Sequence, residues 1–137
     1  MVTRLIGIGG SVSVDAVSRW VSRLPPAERD LPLLVVDNVA YSPNDALAEV
    51  RAGTPLGRRL QTMIETGRWG TPEEVLEALA AERLKKLYRE RPVVRITIGG
   101  KWTSEELIRE IEKRTPLGEE LIRSEIEYMK RLRERYK

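Results

Sequence analysis

The chain contains no cysteine, no histidine and no phenylalanine. Without cysteine there are no disulfides, thiol nucleophiles or iron–sulfur ligands. Without histidine there is no imidazole for general acid–base work, no Ser-His-Asp triad and almost no zinc or haem site. Carboxylate, lysine, arginine, tyrosine and serine chemistry remains, but these residues form no diagnostic cluster, so the expectation is a non-catalytic protein with no cofactor and no metal. Aromatic packing falls to Trp20, Trp69, Trp102 and four tyrosines, whose polar atoms need partners when buried. Side-chain amides are almost missing, with Gln61, Asn38 and Asn44 the whole set, and arginine outnumbers lysine 18 to 6. That composition suits a thermophile or a GC-rich genome. No apolar run approaches the length of a bilayer span, and Met1 to Arg4 does not open a signal peptide. The expected location is cytoplasmic, with no membrane partner.

What is present is length, charge and a repeat. At 137 residues the chain is expected to form a single domain, 1–137, with one buried core. Lys and Arg number 24 against 21 Asp and Glu, a formal charge of +3 on a chain that is 33% charged. So mild an excess does not by itself demand nucleic acid.

Tyr41 to Leu60 aligns without gaps on Trp102 to Leu121. Glu49/Glu110, Thr54/Thr115, Pro55/Pro116, Leu56/Leu117, Gly57/Gly118 and Leu60/Leu121 are identical pairs, and Tyr41/Trp102, Ser42/Thr103, Asp45/Glu106, Leu47/Ile108 and Val50/Ile111 are close exchanges. The repeat is expected to span 33–66 and 93–127, with a fainter first unit at 3–31. Four helix starts, Ser13, Ser42, Thr71 and Thr103, share one signature. In it a hydroxyl accepts from free amides of the first turn, and acids at Asp15, Asp45, Glu73, Glu74, Glu105 and Glu106 favour the positive end of the dipole. Pro43 and Pro72 sit where no donor is needed.

Runs rich in β-formers, Thr3 to Ile8, Leu33 to Val36 and Val93 to Ile98, end in the turn residues Gly9-Gly10, Asp37-Asn38 and Gly99-Gly100. The recurrent unit is therefore a short hairpin leading into a helix, and Thr54-Pro55 and Thr115-Pro116 restart a second helix in a new direction. The fold class that follows is α+β and helix-rich, with duplicated hairpin/strand–helix–helix units packed as one domain. Helices are predicted near 13–23, 43–52, 55–66, 72–90, 104–113 and 116–135, and strands near 3–8, 33–37 and 93–98. The predicted core is Leu5, Ile8, Val17, Val21, Leu34, Val36, Leu47, Val50, Leu56, Leu60, Val75, Leu79, Ile96, Ile98, Leu107, Ile111, Leu117 and Leu121. In the last helix Ile122, Met129 and Tyr136 fall seven apart, but Glu125 occupies the seam, which favours packing on its own domain over a coiled coil.

Ile6-Gly7-Ile8-Gly9-Gly10-Ser11 lacks the Lys-Ser/Thr of a phosphate loop, and Val12 stands where a dinucleotide fingerprint needs its third glycine. The pairs Glu73/Glu74, Glu105/Glu106 and Glu119/Glu120 lie in first helical turns, and neighbours on a helix point about 100° apart, away from any shared cation. Arg83, Lys85, Lys86, Arg89 and Arg91, and the tail Lys130, Arg131, Arg133, Arg135 and Lys137, are the local basic excesses. Of these, Arg83, Lys86, Arg89, Lys130, Arg131, Arg133 and Arg135 are the residues that would meet phosphates.

Residues 55–79 carry a local likeness. Gly67, Arg68, Trp69, Thr71, Glu74, Val75, Leu76 and Leu79 resemble the helix–turn–helix part of ribbon-helix-helix antitoxins of the ParD type. The resemblance covers about 25 residues and implies a DNA-binding regulator. The DNA-reading strand of that family is replaced by Ala52-Gly53-Thr54-Pro55-Leu56-Gly57, and the basic residue expected after its Glu-Val element is Glu77.

The function expected is that of a protein–protein interaction or assembly protein, binding another protein or itself as a homo-oligomer. Tyr41, Trp69 and Trp102 are its candidate contacts. The alternatives are the DNA-binding antitoxin-like regulator and a carboxylate-based enzyme.

Overall fold

A computed structural model describes residues 14–69, 71–90, 94–97 and 100–136. The strand expected at 3–8, the glycine run 6–11, Ser13, Leu5, Ile8, Ile98 and the side chain of Ile96 lie outside the described residues. The rest is helix-rich α+β and falls into two compact units, residues 1–70 with 133–137 (unit 1) and residues 71–132 (unit 2).

Unit 1 runs α1 (14–23), a 3-10 turn Pro26–Glu28, β1 Leu34–Val36, β2 Val39–Tyr41, α2 Pro43–Ala52 and α3 Pro55–Thr66. Unit 2 runs α4 Glu73–Glu90, β3 Val94–Thr97, β4 Gly100–Thr103, α5 Ser104–Lys113 and α6 Pro116–Arg135, whose last residues count with unit 1. In both units the described elements come in the order helix, hairpin, helix, helix. α4, Glu73–Glu90, serves as the first helix of unit 2.

Both hairpins are antiparallel pairs with two residues between the strands, Val36 opposite Val39 and Thr97 opposite Gly100. Asp37 and Asn38 both take positive φ, 51° and 63°, the geometry that follows the right-handed twist of the strands and that short Asx side chains tolerate. The returning strands, three and four residues long, extend the residue or two legible in sequence.

Each returning strand runs straight into a capping box. Ser42 Oγ accepts from the Asp45 amide at 3.0 Å while Asp45 Oδ2 accepts from the Ser42 amide at 3.0 Å. Thr103 and Glu106 make the same exchange at 3.3 and 3.2 Å. Reciprocal bonds of this kind satisfy two helix-end donors at once.

The corner between the last two helices of each unit gives a physical role to the residues shared by 49–60 and 110–121. Thr54 Oγ1 accepts from the Gly57 amide at 2.9 Å and donates to Glu49 Oε2 at 2.6 Å. Thr115 does the same with Gly118 at 3.2 Å and Glu110 Oε1 at 3.0 Å. Pro55 and Pro116 begin the second helix, where a missing N–H is harmless. At Gly57 and Gly118 the helices touch so closely that a Cβ would overlap the carbonyl oxygen of Glu49 or Glu110.

Leu60 and Leu121 then enter the core. Leu56 and Leu117, predicted in the core, are only half-buried because the glycine one position later occupies the inner face of the corner. Val75 is half-buried for a similar reason: Leu76 takes the inward position on α4. The other described core predictions are buried. Along α6 the inward face is Leu121, Ile122, Ile126, Met129 and Leu132, so the helix spends its apolar stripe inside the chain.

Candidate functional site

The aligned aromatics Tyr41 and Trp102 occupy one structural position. Each stands on the returning strand of its hairpin, immediately before the N-cap of the following helix, and each is half-buried. Four residues into the cap lie Ala46 and Leu107, both fully buried. This is the placement of a hydrophobic staple, with each residue only partly buried.

Trp69 does not join them. It is 4% exposed, with its ring edge-on to Trp20 at 5.8 Å and 89° and the Arg133 guanidinium 5.0 Å from its centroid. Gly67 caps α3 in the left-handed conformation, φ 64°, and the chain then delivers the indole into unit 1. Trp69 is therefore a core residue rather than a partner contact, which corrects the expectation from its glycine-flanked setting.

The basic candidates divide. Arg83 is 1% exposed and its Nε donates to Glu125 Oε1 at 2.9 Å, so it is a buried ion-pair residue and not a phosphate ligand. Arg133 is half-buried, lies over Trp69 and donates to the Leu33 carbonyl at 3.4 Å, so it too is structural. Lys86 lies 3.8 Å from Glu90, and Lys130 lies 3.6 Å from Glu73. Arg89, Arg131 and Arg135 remain exposed, the last with its guanidinium 5.6 Å from the Tyr136 ring centroid.

Sequence counts place the charge unevenly. Unit 1 holds 11 Lys and Arg against 8 Asp and Glu, and unit 2 holds 13 of each, together the 24 and 21 of the whole chain. The +3 excess belongs to unit 1, whereas Arg83, Lys86, Arg89, Lys130 and Arg131 belong to the electrically balanced unit 2.

Unit 2 contains an open cleft of about 240 Å³ that sequence reasoning did not find. Ile122 and Ile126 contribute apolar surface to it, and Glu73, Glu77, Glu119, Glu127, Arg123 and Lys130 supply charges of both signs. Arg114 Nη1 lies 3.5 Å from both Glu77 and Glu119. Among the described residues no three carboxylates come together as a metal site. The acid pairs instead have local partners: Glu106 closes a capping box, while Glu73 and Glu119 meet Lys130 and Arg114. The signal for the cleft was faint, because its carboxylates come from two helices more than 40 residues apart in sequence.

In the stretch 55–79, α3 and α4 do flank the Gly67–Trp69 turn. The positions preceding α3 form the helix-end turn at Gly53 and the Thr54 cap rather than a strand. Among the described residues no helix is long and apolar enough to cross a membrane. No family model, curated protein or solved structure matches the chain.

Proposed function

We propose that the chain is a non-catalytic interaction or assembly protein built from two copies of one strand–helix module, acting in the cytoplasm by association with itself or with another protein. The observation that supports this reading is the paired placement of Tyr41 and Trp102. Two large amphipathic rings recur at one register position, neither fully absorbed by its own core. Tyrosine and tryptophan in such half-exposed settings are the side chains that most often anchor interfaces. The polar groups around both corners are meanwhile committed to structure: Asp45 and Glu106 to caps, Glu49 and Glu110 to the Thr-Pro turns, Glu125 to Arg83.

DNA binding is the second reading, favoured by the exposure of Arg89, Arg131 and Arg135 and by the antitoxin-like stretch. The zero balance of unit 2 weighs against it, since counterion release rewards net local positive charge.

Sedimentation equilibrium over a wide concentration range separates the two. The assembly reading expects a dimer or larger species that dissociates on Tyr41→Ala or Trp102→Ala with helical circular dichroism retained. A strict monomer with no protein partner that binds duplex DNA, more weakly as salt rises, would replace it with the second reading. Variants that simply unfold would reduce both rings to staples.

A further inference from the structure

Unit 1 is not continuous in sequence: its first part ends at Gly70, and it resumes at Arg133 after the whole of unit 2. The resumed segment is stitched to three separate parts of unit 1. Trp20 Nε1 on α1 donates to the Tyr136 carbonyl at 2.7 Å, Arg133 donates to the Leu33 carbonyl just before β1, and the Arg133 guanidinium stacks on Trp69 just after α3. Trp20 in turn meets Trp69 edge to face. The last turn of α6 therefore completes the aromatic cluster that holds α1 in place.

We propose that this turn is a clasp that makes the closure of unit 1 conditional on the prior folding of unit 2. The physical reason is loop entropy. The Trp20–Tyr136 and Arg133–Leu33 bonds join residues 116 and 100 positions apart, whereas the buried ion pair of unit 2 spans 42. Closing a loop becomes less favourable as its flexible length grows, and folding the intervening 71–132 first shortens the flexible part of the longer loops. The corner between α2 and α3 needs only local contacts, so the element that waits is α1, with Trp20. Unit 2 thus does more than repeat the module: it delivers the clasp.

This inference holds whether or not the chain associates, and two measurements on the full chain test it. Pulsed hydrogen exchange read by mass spectrometry during refolding of the unaltered protein should show the amides of α4 and α5 protected in an earlier phase than those of α1. Protection of α1 before, or in step with, α4 and α5 overturns the proposal. In the folded state, Arg133→Ala should speed exchange in α1 by between about two- and thirtyfold, the range set by a cation–π contact, and leave α4 and α5 unchanged. Equal acceleration throughout, or none in α1, also overturns it. The refolding measurement needs no variant, so a failure of Arg133→Ala to fold leaves the proposal testable.

Discussion

Arg83 Nε donates to Glu125 Oε1 at 2.9 Å within unit 2, with the arginine side chain fully buried and the glutamate side chain 15% exposed. Taking charges out of water is unfavourable, so such a pair is far more sensitive to losing one member than to losing both. Glu125→Ala is expected to destabilise the protein by about 3–5 kcal/mol, because it removes the carboxylate that the buried guanidinium faces. The double variant Arg83→Met with Glu125→Leu should lie much nearer the starting protein. Urea unfolding of the singles and the double gives the coupling directly; additive losses would show that the pair does not act as a unit.

At the helix corners, Gly57→Ala and Gly118→Ala set two effects against each other. Alanine is favoured over glycine in a helix by about 1 kcal/mol, but the added methyl overlaps the backbone of Glu49 or Glu110. Overpacking against a backbone that cannot retreat should win, with a net loss of about 1–3 kcal/mol at each site. Thermal melts that rise for either variant would mean the corner opens freely.

Arg114 holds the left-handed position that Gly53 holds in the other unit, φ 53° against 69°. A non-glycine residue is strained there, and the two 3.5 Å contacts of Arg114 with Glu77 and Glu119 are exposed and weak. Arg114→Gly should therefore stabilise by about 0.5–1 kcal/mol. A lower melting temperature would show that those ion pairs matter more than the backbone.

The basic residues of the α4 and α6 ends should separate by role. Arg89→Ala, Arg131→Ala and Arg135→Ala are expected to change stability by no more than about 0.5 kcal/mol, as exposed surface substitutions do. Arg133→Ala should cost unit 1 about 1–2 kcal/mol through its lost stack on Trp69 and lost bond to Leu33. Denaturant midpoints of the four variants are the check, and equal effects would contradict the assignment.

Much of this architecture was legible in the residues because its determinants are local. Ser42, Pro43 and Asp45 write a helix start wherever they occur together, and Asp37-Asn38 writes a two-residue turn. The Thr-Pro-Leu-Gly match was visible as letters, but not why the glycine is needed, since that depends on how closely two helices approach. Arg83 was misread by counting it with its charged neighbours. Its spacing of four from Leu79 and three from Ala80 puts it on the inward stripe, and Glu125 breaks the apolar seam of α6 in the same way. Two opposite charges on two apolar stripes were the available signal. Trp69 lacked even that, because the residues that bury it, Trp20 and Arg133, are remote in sequence.

The capping boxes have an outcome beyond helix stability. Among the described residues each sheet has two strands, and the edge of so small a sheet is where another chain's strand can pair. Those strands are only three and four residues long, and the amides at their helix ends are already taken: Ser42 N–H by Asp45 and Thr103 N–H by Glu106. A stranger's backbone finds too short a row of free donors and acceptors to add to. Fibrous growth by addition to either returning strand is thereby discouraged.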